Sequence, residues 1–535
     1  MSVPPANMPD LPPDPATPPF TRDQLLVLAG ITLLAAVLRL FRLEEWSLWV
    51  DEAHTFRDAT SDLDVFWASN VSKYPVSALT LRWLLEHDIL RATGEGWLRL
   101  PFAFLGILTI PAVGLFGRAI VGRGPALLAA AFLAVHPWHI YWSQNVRGYA
   151  LNCFFATLAA FLTHRAVRRR SIPMLLAAMV CVGISGMAHP SGFIMLTAIG
   201  AFAAFEIWRD RALRRWLFRP LPSGVLGVLA IALGIWFVPA FWHAAAEKPD
   251  ASLIHLVQTF AWFIGPGFAV AAAAGLACLP MPGRVREAGF LAAWTIVPTL
   301  ALMVLGAFFI KATARFGLFL APALCLLAAQ LCFVVSAKVD VTGWRRKALR
   351  WALPAVLLVE FLGYDALYYT QQYGDRPRWR EAARIVQHEA AGRTLVITHH
   401  QPSMEYYLDR AAFYEPGRNP ALVENLIEGF TDWKFNQAGI DFGGGGEEYL
   451  RQWADVAMAQ SRALFVVYST PEVEAYDLGT RTGTHEGKPF RHESGEFDRA
   501  VRRFGHQVAY LSNDIGPRDL SLQVYRIPLP LPERD

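Results

Sequence analysis

The sequence predicts a polytopic α-helical membrane protein of about eleven transmembrane helices with a C-terminal extracytoplasmic α/β domain. Three observations lead there. The chain of 535 residues is 54% apolar and only 18% charged, with a mean hydropathy of +0.29, a balance foreign to ordinary soluble proteins. Its apolar residues gather into runs long enough to cross a hydrocarbon core of roughly 30 Å as helices. The loops between those runs alternate between rich and poor in basic residues, which is the positive-inside pattern.

Residues 1–23 are rich in proline, hold Asp10 and Asp14, and lack the basic start of a secretory signal. A disordered cytoplasmic tail and an uncleaved first span are therefore expected. The spans read as 24–42, 98–117, 125–140, 148–164, 172–188, 191–207, 223–242, 258–279, 288–309, 316–336 and 351–369. A long outer loop, 43–97, follows the first. Within it 75–90 carries Arg82, Glu86, His87 and Asp88 and reads as an amphipathic helix at the surface. With the N-terminus cytoplasmic, the inner loops hold eighteen basic residues, and the short outer loops hold four: Arg147, Lys248, Lys311 and Arg315. An even number of spans would invert the sign of the later loops, so eleven is favoured.

The remainder, 370–535, then forms an external domain beside a membrane domain of 24–369. In it 378–391 has helical spacing, 394–398 and 463–468 read as short buried strands, and 520–527 alternates like a third. All five cysteines (Cys153, Cys181, Cys278, Cys325 and Cys332) fall in spans, which leaves none for an external disulfide or a structural zinc site. The run Gly443-Gly444-Gly445-Gly446 lacks the Lys-Ser/Thr of a phosphate loop and reads as a flexible loop. The net charge of +4 originates in the inner loops, so no nucleic-acid partner is expected.

Chemistry points to the segment Trp46-Ser47-Leu48-Trp49-Val50-Asp51-Glu52-Ala53-His54-Thr55 directly after the first span. Two adjacent carboxylates at a lipid boundary are costly to desolvate. The bland reading is a surface pair or a helix cap; the sharper one is acid–base work at the interface. The outer ends of other spans bring Lys73, Tyr74, His136, His139, Tyr141, Gln144, Arg147, Tyr149, His189, Lys311 and Arg315 to the same face. Arginines there could hold the phosphate of a lipid-linked substrate through their planar fork. Arg39 and Arg42 are expected to snorkel or to pair with Glu52. The histidines have no metal-ligand spacing, so hydrogen bonding is favoured for them and no metal site is assigned, although a divalent ion stays open. Glu360, inside the last span, has no evident partner.

Five pieces then stand in a telling order: Ser47-Leu48-Trp49-Val50-Asp51-Glu52-Ala53, Leu98-Arg99-Leu100-Pro101, Trp142-Ser143-Gln144-Asn145-Val146-Arg147-Gly148-Tyr149, Ala314-Arg315-Phe316 and Trp379-Arg380-Glu381-Ala382-Ala383. Over about residues 25–400 the chain resembles bacterial members of the GT-C class of membrane glycosyltransferases, nearest to the protein O-mannosyltransferases and the lipid A sugar transferases. The resemblance implies a multi-pass enzyme of the bacterial inner membrane. Such an enzyme moves a sugar from a polyprenyl-phosphate donor to a hydroxyl of a protein, lipid or glycan acceptor, with inversion, on the extracytoplasmic side. It implies Asp51 as catalytic base with Glu52 in support. Lys73, Arg147 and Arg315 would bind the donor phosphate, and His54, Gln144, Tyr149 and His189 the substrate. Two departures stand out. Gln144-Asn145-Val146-Arg147 replaces the common Gln-Glu-Ala-Arg, and Lys73-Tyr74-Pro75 replaces His-Pro-Pro. A transporter or flippase of lipid-linked sugars is the rival, but polar groups at span ends rather than mid-span disfavour it. A silent scaffold for the external domain would have no need of the Asp51-Glu52 pair.

Overall fold

Helix α1 (Arg22–Leu40) starts at Thr21, whose hydroxyl accepts from the Gln24 amide while the Gln24 side chain accepts from Thr21 in return. That capping box fixes where the first span begins. The computed structural model describes residues 18–68, 75–90, 94–218, 253–278, 285–310, 312–338, 343–390, 392–408, 421–425, 446–469, 484–485, 488–489, 494–514 and 519–533, with isolated positions between 220 and 235. Lys73, Tyr74, Lys311, Gly443–Gly445 and most of the expected span 223–242 lie outside the described residues.

After α1 come α2 (Val50–Thr60), α3 (Leu63–Ala68) and α4 (Val76–Glu86), then α5 (Glu95–Val121), α6 (Arg123–Ala134), α7 (Pro137–Ser143) and α8 (Tyr149–Arg169). Next are α9 (Ile172–Ala188), a 3-10 turn (Pro190–Ile194), α10 (Met195–Arg209) and α11 (Arg211–Leu217). The bundle closes with α12 (Leu253–Ile264), α13 (Pro266–Ala277), α14 (Val285–Phe308), a second 3-10 turn (Ala314–Leu320), α15 (Ala321–Lys338) and α16 (Gly343–Thr370).

Seven of the described helices are long and apolar enough to cross a membrane: Arg22–Leu40, Glu95–Val121, Tyr149–Arg169, Pro190–Arg209, Val285–Phe308, Ala314–Ala337 and Trp351–Thr370. Three other expected spans take different forms. Helices α6 and α9 are shorter apolar helices. The run at 258–279 is broken, because Gly265 adopts φ 84° and Pro266 restarts the helix, so α12 and α13 meet at 95°. Glu360 has the partner the sequence did not reveal. Its two oxygens accept from Gly267 N and Phe268 N at 3.0 Å each, capping α13 from α16. The surface helix expected at 75–90 is α4.

The C-terminal region is a sheet between helices. Helix α17 (Trp379–Glu389), β1 (Thr394–Thr398), α18 (Gln401–Leu408), β2 (Ala421–Asn425), α19 (Gly446–Ala459) and β3 (Ala463–Tyr468) lead to a short hairpin, β4 (Thr484–His485) with β5 (Lys488–Pro489). Helix α20 (Ser494–Phe504), β6 (His506–Leu511) and β7 (Leu522–Ile527) finish the domain. The five-stranded sheet has the order β2-β1-β3-β7-β6, with β1 parallel to β2 and β3, and β7 antiparallel to β3 and β6. Successive side chains of a strand face opposite ways. Accordingly Leu464 and Val466 pack with Trp453 and Phe497 on one side, and Phe465 and Val467 pack with Trp379 and Met404 on the other.

Candidate active site

Everything at the α2 end of the bundle is anchored on Glu52. It is fully buried, on the first turn of α2, and accepts from five donors. Arg99 of α5 makes a two-pronged bond, Nε to Oε1 at 2.9 Å and Nη2 to Oε2 at 3.0 Å. Arg376, just beyond α16, adds Nε to Oε2 at 3.0 Å. The amides of Trp49 and Val146 each donate at 2.9 Å. Burial works to raise the Glu52 carboxyl, but Arg99 and then Arg376 outweigh it and hold it at about 2. Both arginines bond backbone as well. Arg99 reaches the carbonyls of Leu43, Trp46 and Ser47 at 2.9 Å, and Arg376 reaches Gln144 O at 2.7 Å and Gly374 O at 2.8 Å. Glu52 therefore pairs with neither Arg39 nor Arg42, contrary to expectation. Arg39 is buried and donates to Ala134 O, Leu133 O and His139 Nδ1, while Arg42 pairs with Glu45 at 2.6 Å.

Asp51 faces elsewhere, because one residue along a helix is a turn of about 100°. Its side chain is 23% exposed and lies between two guanidiniums: Arg315 Nη1 at 3.2 Å from Oδ2 and Arg147 Nη2 at 3.8 Å from Oδ1. Arg147 also donates to Thr55 Oγ1 at 3.1 Å and Asp51 O at 3.3 Å. Arg315 enters from the 3-10 turn before α15 and sits over the rings of Trp49, Phe316 and Tyr149 at 5.5, 5.7 and 5.9 Å. Those faces favour the cation and restrain its approach. Tyr149 is flanked by Trp142 and His189, centroids 4.4 and 4.5 Å away, and His189 in turn lies 5.0 Å from Phe316.

Of the residues singled out in the sequence, Asp51, Arg147, Arg315, Tyr149 and His189 thus meet in one place. His54, on the same face of α2, accepts from Arg57 through Nδ1 at 2.9 Å. Burial, followed by Arg57, lowers it to about 4, so it is neutral and its proton sits on Nε2. Gln144 lies apart. Its amide nitrogen donates to Leu38 O, Arg39 O and Phe41 O, and its oxygen accepts from Tyr368 at 2.7 Å, so it fastens the end of α1. His136 and His139 are buried in the bundle rather than at this face. Lys73 is outside the described residues. Arg376 was missed by sequence reasoning because its partner lies 324 positions away. Arg99 stood in a quoted motif without a role.

Among the described residues no group of three His, Cys, Asp or Glu side chains is placed to hold a metal ion. Among the described residues the groups paired with the Asp51 carboxylate are guanidiniums rather than further oxygen ligands, and that donor set does not fit a divalent cation.

The fold is similar to that of solved GT-C membrane enzymes. Residues 79–242 match the dolichyl-phosphate-mannose-protein mannosyltransferase family. The chain superposes over 95% of its length on the Archaeoglobus fulgidus oligosaccharyltransferase in its apo form, covering 75% of that chain at 15% identity with a TM-score of 0.55. A second structure, the same archaeal enzyme AglB in complex with an inhibitory peptide and a dolichol-phosphate, gives 14% identity and a TM-score of 0.53 over 95% of this chain and 75% of that one. ArnT from Cupriavidus metallidurans bound to undecaprenyl phosphate is matched over 96% of this chain and 100% of its own, at 14% identity and a TM-score of 0.53. No curated protein matches the chain by sequence.

Proposed function

We propose that the protein transfers a sugar from a polyprenyl-phosphate donor to an acceptor hydroxyl at the α2 end of the bundle, and that this end faces the extracytoplasmic side. The observation that carries the reading is the Asp51 carboxylate between Arg147 and Arg315. Relatives of the same fold solved with undecaprenyl phosphate and with dolichol-phosphate support the donor class. The basic loops at the opposite bundle end support the orientation.

In this mechanism the donor phosphate competes with Asp51 for the two guanidiniums, which take it as charge-assisted forks. Asp51 then accepts the proton of the acceptor hydroxyl as its oxygen bonds to the anomeric carbon. The bond from that carbon to the phosphate oxygen breaks on the opposite face, inverting the centre. Its electron pair leaves with polyprenyl phosphate, whose growing charge Arg147 and Arg315 stabilise. Tyr149 and His189 build the wall that aims Arg315. Glu52 holds α2 in place, making it a positioning residue rather than a second base.

The test is Asp51→Asn in full-length protein in lipid nanodiscs, supplied with undecaprenyl-phosphate hexoses and pentoses. Release of undecaprenyl phosphate is expected to fall about 10²–10⁴-fold. Release at the wild-type rate rejects Asp51 as the base.

A further inference from the structure

Asp58 is the acid the mechanism leaves unused. It stands seven residues after Asp51, about 10 Å further along α2, on the face that also carries His54 and Thr55. Its Oδ2 is buried and has no hydrogen-bond partner among the described residues. Among the described residues its side chain takes part in no ion pair, although Arg57 and Arg147 are both in electrostatic reach. Arg57 spends its guanidinium on His54, and Arg147 on Asp51 and Thr55. A buried carboxylate oxygen left unbonded is costly, and burial raises the Asp58 carboxyl accordingly.

One turn earlier on the same face of α2, His54 uses Nδ1 as an acceptor, so Nε2 carries a proton ready to donate. The C-terminal domain grips the opposite side of the same helix. Helix α18 packs on α2 through Tyr406 against Phe56, with ring centroids 5.2 Å apart, and Tyr407 accepts from Leu48 N at 2.7 Å. His400, in the β1–α18 turn, lies within electrostatic reach of His54.

We propose that this stripe of α2 is the acceptor subsite, where Asp58 accepts a hydrogen bond from a saccharide hydroxyl and His54 Nε2–H donates one to it. The inference rests on the glycosyltransferase reading above. An acceptor-only oxygen and a donor on one helix face suit hydroxyls, which are both donor and acceptor. An ammonium group could only donate, and it would approach Arg57 and Arg147. The separation of Asp51 from Asp58 calls for one hydroxyl at the reacting end and others about 10 Å away. A glycan of two or more rings has these; a single serine or threonine does not.

The experiment uses full-length protein in nanodiscs, the undecaprenyl-phosphate sugar it turns over, and a panel of methyl disaccharides of gluco, galacto and manno configuration. A threonine-containing peptide is run in parallel. Wild-type protein is expected to show saturable acceleration of undecaprenyl phosphate release by at least one disaccharide. Asp58→Asn should raise the KM for that disaccharide at least tenfold without weakening undecaprenyl phosphate binding, and His54→Phe should do the same. An unchanged KM in Asp58→Asn overturns the proposal. So does acceleration by the peptide alone, or by no disaccharide. Failure of wild-type protein to bind undecaprenyl phosphate would instead refute the glycosyltransferase reading itself.

Discussion

Asp51 and Glu52 are neighbours in sequence and opposites in environment. One is part-exposed between two guanidiniums; the other is sealed among five donors. The pair as a chemical feature is legible in the sequence, but the division of labour is not. It depends on Arg376, which arrives from the far end of the membrane region, and on backbone amides that no motif reveals. Arg147 and Arg315 are legible because few cations stand at the span ends that the loop charges place outside. Gln144 misleads for the same reason: a polar residue at a span end can serve the backbone instead of a ligand. Two outcomes follow at this scale. Arg315→Ala should weaken undecaprenyl phosphate binding at least tenfold, measured by titration into nanodiscs, with the loss shrinking at high salt. Glu52→Leu strips both buried arginines of their counter-charge and should cost roughly 3–5 kcal/mol, read as a lowered unfolding midpoint.

At the level of elements, continuous apolar runs announce themselves. Thr394–Thr398 and Ala463–Tyr468 are strands at the expected limits because both faces are covered. Strand β6 is harder to see: its side chains are mostly half-buried or exposed, as suits the edge of a sheet. The bend between α12 and α13 has a visible cause, Gly265-Pro266-Gly267, which the apolar composition of the run conceals. That bend also accounts for Glu360, whose partners are amides exposed by the break. Glu360→Leu should leave those amides without their acceptor and cost about 1–3 kcal/mol. Thermal unfolding in detergent checks this, and Glu360→Gln, which keeps one acceptor oxygen, should recover part of the loss.

Over the whole molecule, hydropathy and loop charge convey a many-span bundle with a polar C-terminal region, whereas contacts between the two are invisible to any local pattern. Acid stability belongs at this scale, since Glu52 joins parts of both. Its carboxyl has an ordinary value of 4.5 and is held at about 2 in the folded protein. The unfolded chain therefore takes up the proton first as pH falls. The stabilisation is complete above about 4.5 and drains away between there and about 2. Unfolding midpoints measured across that window should drop for the native chain, and drop less for Glu52→Gln, which has nothing there to titrate.

Arg376 belongs by sequence to the start of the C-terminal region, yet its guanidinium ends on a carboxylate of the helix that carries Asp51. A chimera that grafts a foreign C-terminal portion after Thr370 would strand that carboxylate with half its counter-charge unless the graft brings its own arginine. The two portions are in that sense inherited together, and recombination with a relative that lacks this arginine should succeed only at crossovers downstream of position 376.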